Sequence, residues 1–420
     1  MSVFIYNIAI RLYYFAIYVA SFFSLKARLW IAGRKKLHHR LRHYISSAHG
    51  KKIWFHCASL GEFEQARPLI ERIRQQHPEH KLILTFFSPS GFEARRNYDG
   101  ADFIGYLPLD TAYDARELIH RMKPSLVIWA KYEFWYNILS ELHRKQIPTV
   151  LISSVFRPEQ VFFKWYGPLH RRMLGFFTHI FVQNKESQAL LHTLGVKAEI
   201  CSDTRFDRVY NIAKTPKEIE AIKIFKGGKK LLIAGSTWRK DAEMLCHLIN
   251  NDPFNGKFLY VIAPHDVIKK NVSYLIDKIP HKKVLMSRLT LKNAHKFDVV
   301  IVDTMGMLSS LYRYGDIAYV GGGFNASVHN ILEPAAYGMP VIFGPHYQKS
   351  EEAKTLLKHA DWHAACSLTN YQALVSCIQG LLDNDEANLK TGSDKAREYV
   401  QDNIGGTDKI YSYLADNKLL

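Results

Sequence analysis

From Lys52 to about Ser202 the chain alternates short apolar runs with stretches in which apolar residues recur every three or four positions. The runs Ile53–Cys57, Leu82–Phe87, Leu126–Ala130, Thr149–Ser153 and His179–Gln183 predict strands, and Glu62–Gln76 and Asp114–Met122 predict helices between them. Such alternation implies a parallel sheet covered by helices. Arg205 to Gly228 is polar and lysine-rich, carries no sustained strand pattern, and reads as the join between two halves. The alternation then restarts, with strands expected at Lys230–Ala234, Phe258–Ala263, Val299–Val302, Ile317–Val320 and Val341–Phe343. The tail from about Ala387 to Tyr413 reads as helical. Two doubly wound α/β halves place ligands at the carboxyl ends of their strands.

Length agrees, since 420 residues can bury two ordinary cores. With 47% hydrophobic and 23% charged residues the chain is globular, not disordered. A net charge of +17 and a pI near 9.4 imply anionic partners: nucleic acid, membrane phosphate or an acidic sugar. Composition does not choose among them. The five cysteines, Cys57, Cys201, Cys246, Cys366 and Cys377, show no C-x-x-C spacing that would suggest zinc or redox chemistry, and a reducing cytosolic face is the simplest setting.

The N-terminus changes the picture. Leu12–Leu25 is apolar apart from Ser21 and Ser24, but Asn7 and Arg11 interrupt the run before it reaches the roughly 20 residues of a bilayer span. Lys26, Arg28, Arg34, Lys35, Lys36, Arg40 and Arg42 follow it, a flank suited to anionic headgroups on the cytoplasmic side. A secretory signal would carry its charge ahead of the apolar core. The segment reads either as an anchor lying in one leaflet or as a packed N-terminal helix.

Asp316–Pro345 is a strand, glycine loop, helix and strand. Gly321–Gly323 let the backbone turn tightly, a short helix starts between His329 and Glu333, and Pro334 belongs in its first turn, where its missing N–H has no partner to lose. The free N–H groups of such a turn suit a phosphate. Glu333 either closes a capping box with Asn330 or accepts hydrogen bonds from a ribose.

The order GGGF...HNILEPAAYGMPVIFGPH, with HCASLGE at 56–62, TFFSPSG at 85–91, YLPLD at 106–110, EFWYN at 133–137, RFD at 205–207, GSTW at 235–238, AP at 263–264 and DTMG at 303–306, resembles the Kdo (3-deoxy-D-manno-octulosonic acid) transferases of lipid A assembly. These are glycosyltransferases of the GT-B class. The resemblance covers nearly the whole chain. It implies two Rossmann-like domains facing a cleft: a membrane-anchoring segment at 1–36, an acceptor domain at 37–210, a CMP-sugar domain at 211–390, and a C-terminal helix within 391–420 crossing back to the first domain.

Glu62 should open the helix after the strand Ile53–Cys57, where the helix N-terminus favours its ionised form. A first-turn glutamate is ordinarily a dipole-complementing residue. The S-x-G-E context of the family makes Glu62 the expected general base. At 131–137 the family pattern is E-x-E-L-W, and Lys131 stands where the first acid is expected, while Glu133 and Trp135 are retained. Lys131 either holds the sugar carboxylate or departing phosphate by charge, or pairs with Glu133 in a solvated loop. Arg205 is expected to contact phosphate or carboxylate in the transition state, or to form a hinge salt bridge with Asp203 or Asp207. Ser154–Phe177 interleaves aromatic and basic residues on an expected helix that faces either a lipid surface or the interior.

In the second half, GSTW is explained by local capping through Ser236 or Thr237, with a donor contact secondary. The resemblance implies CMP contacts from Pro264, His265, Met305, Gly306, Met307, Asn330, Ile331, Leu332 and Glu333. His265 stands in Pro-His-Asp where the family has Pro-Arg-His, and Met307 replaces a glutamate. Asp383-Asn384-Asp385, the sole D-x-D, sits in a late turn and reads as surface. Neither metal nor cofactor is expected.

The function implied is inverting transfer of Kdo from CMP-Kdo to a lipid A precursor, lipid IVA, at the cytoplasmic face of an anionic inner membrane. One alternative is a GT-B enzyme that uses another nucleotide sugar, such as a UDP-sugar. Another is a basic membrane-associated nucleic-acid binder, but no nucleic-acid-binding module is recognisable, and no nucleic-acid partner is expected.

Overall fold

Strands buried on both faces read as near-continuous apolar runs, and the central strands here do so apart from a few polar residues such as His56 and Thr85. In a computed structural model, describing residues 2–420 apart from 36, 38–40, 42, 43, 45–49 and 132, the chain forms two units: residues 1–207 with 404–420, and residues 208–403. Lys36, Arg40 and Arg42 of the basic flank lie outside the described residues, as does Tyr132.

The first unit contains β1 (Lys52–Cys57), β2 (Lys81–Phe86), β3 (Phe103–Tyr106), β4 (Leu126–Ala130), β5 (Thr149–Ser154), β6 (His179–Val182) and β7 (Glu199–Ile200). All pair in parallel in the order β3-β2-β1-β4-β5-β6-β7. Side chains alternate between two cores. Trp54, Ile83, Val127, Trp129 and Leu151 enter one, and Ile53, Phe55, Leu82, Leu84, Ile128 and Ile152 enter the other. Strand order reverses between β1 and β4, so the loops after these two strands flank the crevice where doubly wound sheets bind ligands.

The second unit repeats the plan with β8 (Lys230–Thr237), β9 (Phe258–Pro264), β10 (Lys283–Leu285), β11 (Val299–Ile301), β12 (Ile317–Val320), β13 (Val341–Phe343) and β14 (Ala365–Ser367). Its order is β10-β11-β9-β8-β12-β13-β14, and its reversal falls between β8 and β12. These are two doubly wound parallel-sheet domains, the GT-B fold class.

Several elements differ from the sequence reading. The apolar run Leu12–Leu25 is not one segment: a helix spans Val3–Ala20, the chain turns at Ser21–Phe23, and a second helix spans Leu25–Lys35. Asn7, read as an interruption, docks the first helix by accepting from Asn137 Nδ2 at 2.9 Å, while Tyr6 Oη donates to Asp110 Oδ2 at 2.6 Å. The opposite face stays bare, with Phe4 74% and Phe15 63% exposed. By length and composition this helix could cross a membrane.

Ser154–Phe177 is not a single helix either. It holds a 3-10 turn at Val161–Phe163 and a helix at Pro168–Leu174. Phe156, Phe162, Leu169 and Phe176 pack inward, whereas Trp165 is 89% exposed. The lysine-rich join is helical at Arg205–Lys214 and Glu220–Lys226. The tail breaks at Gly405, so helix Ala387–Asp402 stays with the second unit and helix Gly406–Asp416 returns to the first. Cys366 on β14 and Cys377 on helix Tyr371–Leu382 form a disulfide, which the sequence reading did not expect. The helix folding back beside its own strand brings them together.

Candidate active site

Glu62 sits in the first turn of helix Leu60–Gln76, directly after β1. Its side chain folds back to accept the Ala58 N–H, just ahead of the N-cap residue Ser59, whose own side chain makes no capping hydrogen bond. Glu62 is buried, and burial, reinforced by the negative charge of Glu133, pushes its carboxyl up to about 7. The Ala58 and Ser59 N–H groups and the Lys131 charge oppose that rise. A carboxyl poised there is matched to proton abstraction near neutrality.

Lys131 and Glu133 come from the loop after β4, across the reversal point from Glu62. Lys131 adopts a left-handed backbone, φ 65°, and its charge acts on both Glu62 and Asp203. Glu133 is held by neighbours, not paired in a solvated loop: its carboxylate accepts from Trp135 Nε1 at 3.0 Å and faces His56 Nε2 at 3.5 Å.

Arg205 forms its salt bridge to Asp203, with Nη2 at 2.9 Å from Oδ2. Asp203 also accepts from Gln65 Nε2 and Gln183 Nε2, both at 2.6 Å. Burial works to raise the Asp203 carboxyl, but the charge and hydrogen bonds of Arg205, with Lys131 behind them, hold it down at about 2. An ionised, buried Asp203 therefore fixes the Arg205 guanidinium. Asp207 is not part of this bridge; it accepts from the N–H groups of Gly405 and Thr407 and caps the returning helix.

Two motifs are explained by Asp110. This buried carboxylate, the last residue of YLPLD, accepts from the N–H groups of Asn137 and Ile138 at 2.9 and 2.8 Å, fixing the helix that follows EFWYN. Nothing local in the sequence marks it as a cap, because it lies 27 residues from Asn137.

In the second unit the loops after β8, β9 and β12 meet in a stack of rings. Trp238 and His329 lie side by side, their centroids 6.3 Å apart, and His265 stacks on both, with centroids 4.5 and 4.4 Å away and planes within 21° of parallel. Trp238 Nε1 donates to His329 Nε2 at 2.8 Å, and burial beside His265, opposed by Asp266, pushes His329 down to about 4. A cavity of about 550 Å³ opens here, lined by Thr237, Trp238, Pro264, His265, Lys270 and Tyr274 among others. Of the expected donor contacts, Pro264 and His265 line it, whereas Met305–Met307 and Asn330–Glu333 do not.

The glycine loop is as tight as its sequence implies. A Cβ on Gly321 would come within 2.3 Å of Ser236 O, and one on Gly323 within 2.6 Å of Gly344 N. Asp241, fully buried, ties the loop down by accepting from Gly322 N, Trp238 N and Tyr319 Oη. The helix beyond spans only Leu332–Ala336, and the Leu332 N–H is already taken by Asn330 Oδ1 at 3.2 Å, which weakens the argument for a phosphate on that turn. Glu333 accepts from Asn330 Nδ2 at 3.2 Å. Met305 is 78% exposed, Gly306 takes φ 80°, and Thr304 Oγ1 donates to Met307 Sδ.

Among the described residues, His77, Glu79 and His80 form the one group close enough to hold a metal ion. It lies past the far end of the helix that begins beside Glu62, about 22 Å along the axis at 1.5 Å per residue. The two imidazoles stack within 10° of parallel, so their in-plane lone pairs do not converge. Asp383-Asn384-Asp385 is an exposed turn.

Known proteins arrange themselves around this chain consistently. The family model described as 3-deoxy-D-manno-octulosonic-acid transferase (kdotransferase) matches residues 35–208. The 3-deoxy-D-manno-octulosonic acid transferase of Chlamydophila psittaci is 30% identical over 352 residues, covering 80% of this chain and 78% of that one. The enzyme of the same description from Haemophilus influenzae is 26% identical over 373 residues, 86% of each chain. Among solved structures, a glycosyltransferase from Rickettsia africae superposes with a TM-score of 0.54 at 13% identity, covering 88% of this chain and 98% of that one, a likeness of fold alone. With a buried carboxylate at the first reversal point and this kinship along most of its length, the chain belongs to the 3-deoxy-D-manno-octulosonic acid transferases, glycosyltransferases of lipopolysaccharide biosynthesis.

Proposed function

We propose that the chain transfers Kdo from CMP-Kdo to a lipid A precursor, lipid IVA, with inversion at the anomeric carbon. The observation that carries this reading is Glu62, buried at the β1–β4 reversal and poised near neutrality. Its carboxylate takes the proton from an acceptor hydroxyl. That oxygen bonds to the anomeric carbon while the bond from the same carbon to the CMP phosphate breaks, and CMP leaves with the electron pair. Lys131 and Arg205 supply positive charge for the Kdo carboxylate or the departing phosphate. A monophosphate carries away less charge than a diphosphate, so two cations suffice without a metal.

On the donor side, Pro264 and His265 receive the base end of CMP beside the ring stack, with Met305, Gly306 and Met307, and Asn330, Ile331, Leu332 and Glu333, completing the nucleotide contacts. The acceptor is a lipid, and the bare apolar face of the Val3–Ala20 helix suits a protein resting on the cytoplasmic side of the inner membrane. Docking through Tyr6 and Asn7 favours a helix lying in the interface over one that crosses it.

The test is the product pattern when purified protein meets CMP-Kdo and a tetraacyl lipid A precursor. The expected result is a Kdo-bearing lipid and free CMP, inhibited by added CMP and not by UDP. Glu62→Gln, folded but retaining near-normal transfer, would remove the assigned base.

A further inference from the structure

His56 is fully buried on β1, one residue before Cys57, and nothing in the transfer step described above uses it. Its surroundings favour one nitrogen as the proton's place. Trp54 Nε1, a donor only, gives its hydrogen to Thr85 Oγ1 at 2.8 Å, which leaves the Thr85 hydrogen free to point at His56 Nδ1, 3.0 Å away, and the acceptor-only Glu133 carboxylate facing the other ring nitrogen favours that arrangement. With Nδ1 accepting, the neutral ring holds its hydrogen on Nε2. That atom is sealed from solvent, makes no hydrogen bond, and faces Glu133 Oε2 at 3.5 Å. The Trp129 ring packs on the imidazole at 4.3 Å and gives its own Nε1–H to the Glu133 carbonyl at 2.5 Å. Trp129 and Trp135 thus hold Glu133 by its carbonyl and its carboxylate, and His56 Nε2 faces that carboxylate.

We propose that His56 is a positioning residue of the transfer site: locked by the Trp54–Thr85 pair as the Nε2–H tautomer, it holds the Glu133 carboxylate where its charge bears on Glu62. This deepens the reading of Glu62 as base and rests on it. Burial keeps His56 neutral by pushing its protonation down, which preserves the single N–H the arrangement needs. The 3.5 Å separation is long for a hydrogen bond, as such contacts are before substrate closes on them. The charged and titratable groups around the pair are Arg34 and Tyr13, acting from the two N-terminal helices, and Lys131, Cys57 and Glu62.

The pH profile of kcat/KM separates this role from a structural one. Glu133→Gln removes the negative charge that raises Glu62, so the acid limb moves to lower pH, by about one unit. His56→Phe lets the carboxylate swing away and moves the limb in the same direction. The double variant moves it no further than Glu133→Gln alone. Thr85→Val, which keeps the ring and removes only the hydroxyl, gives a smaller shift of the same sign. Rate loss in His56→Phe with the limb unmoved, or additive shifts in the double variant, overturns the proposal. Nitrogen NMR of the wild-type imidazole reads the tautomer without any assay: a proton on Nδ1 also overturns it. If Glu62→Gln stays active while the ring is found as the Nε2–H tautomer, the base assignment has failed and the imidazole lock has not.

Discussion

At the scale of single residues, the site depends on carboxylates placed where water is scarce, and each carries a stability consequence. Glu62 titrates higher in the folded chain than in the unfolded one, so between about 4.5 and about 7 the folded state binds more protons and stability falls as pH rises. Glu62→Gln keeps an oxygen for the Ala58 N–H and escapes that penalty. The variant should be more stable than the parent by up to about 3 kcal/mol at pH 8, and no more stable at pH 4, in urea titrations at the two pH values. Transfer should fall by several orders of magnitude in the same protein. The place of Glu62 at the opening of the helix after β1 was legible because its neighbours in the chain, Ser59 and Gly61, belong to a recognisable string. His56, Asp110 and Asp241 were not, and of Asp203 only the bridge to Arg205 was, since their other partners lie far along the chain: Asp203 with Gln65 across 138 residues, Asp241 with Tyr319 across 78. A buried aspartate and an exposed one look alike in a sequence until the fold chooses their company.

Among the elements, the glycine loop after β12 is tightly constrained. At Gly323 the obstacle to a side chain is backbone, which cannot rotate aside, and the facing residue is Gly344, equally crowded. Gly323→Ala should therefore cost about 1–3 kcal/mol of stability, whereas Gly228→Ala, with open space around its Cβ, should cost little. Thermal unfolding of the pair is the check. The central strands were readable from apolar runs alone, but β3, β7, β10 and β14 were missed. All four lie at or near sheet edges and span two to four residues, too short for a run to stand out. The N-terminal helix was misplaced for a different reason. Asn7 looked like a defect in a membrane segment, and only the side chain of Asn137 reveals it as a docking point.

For the molecule as a whole, charge and apolar exposure act together on where the protein resides. On the proposed reading, the net charge of +17 would draw it toward anionic lipid, and the exposed Phe4, Phe15, Phe22 and Phe23 would give it something to insert. Replacing these four by serine should shift the protein from the vesicle pellet to the supernatant in sedimentation with anionic liposomes. Raising salt should weaken the parent's binding without abolishing it, because screening acts on the charges and not on the buried rings.

The return of residues 404–420 to the first unit also sets a timetable for biosynthesis. Ile410 and Leu414 complete the core that Phe55, Phe63 and Leu69 begin. The opening half of the chain therefore leaves the ribosome with an unfilled hydrophobic seam, which can close only once residues 404–420 have been made. In a cell, that interval is when a chaperone or a protease would find it.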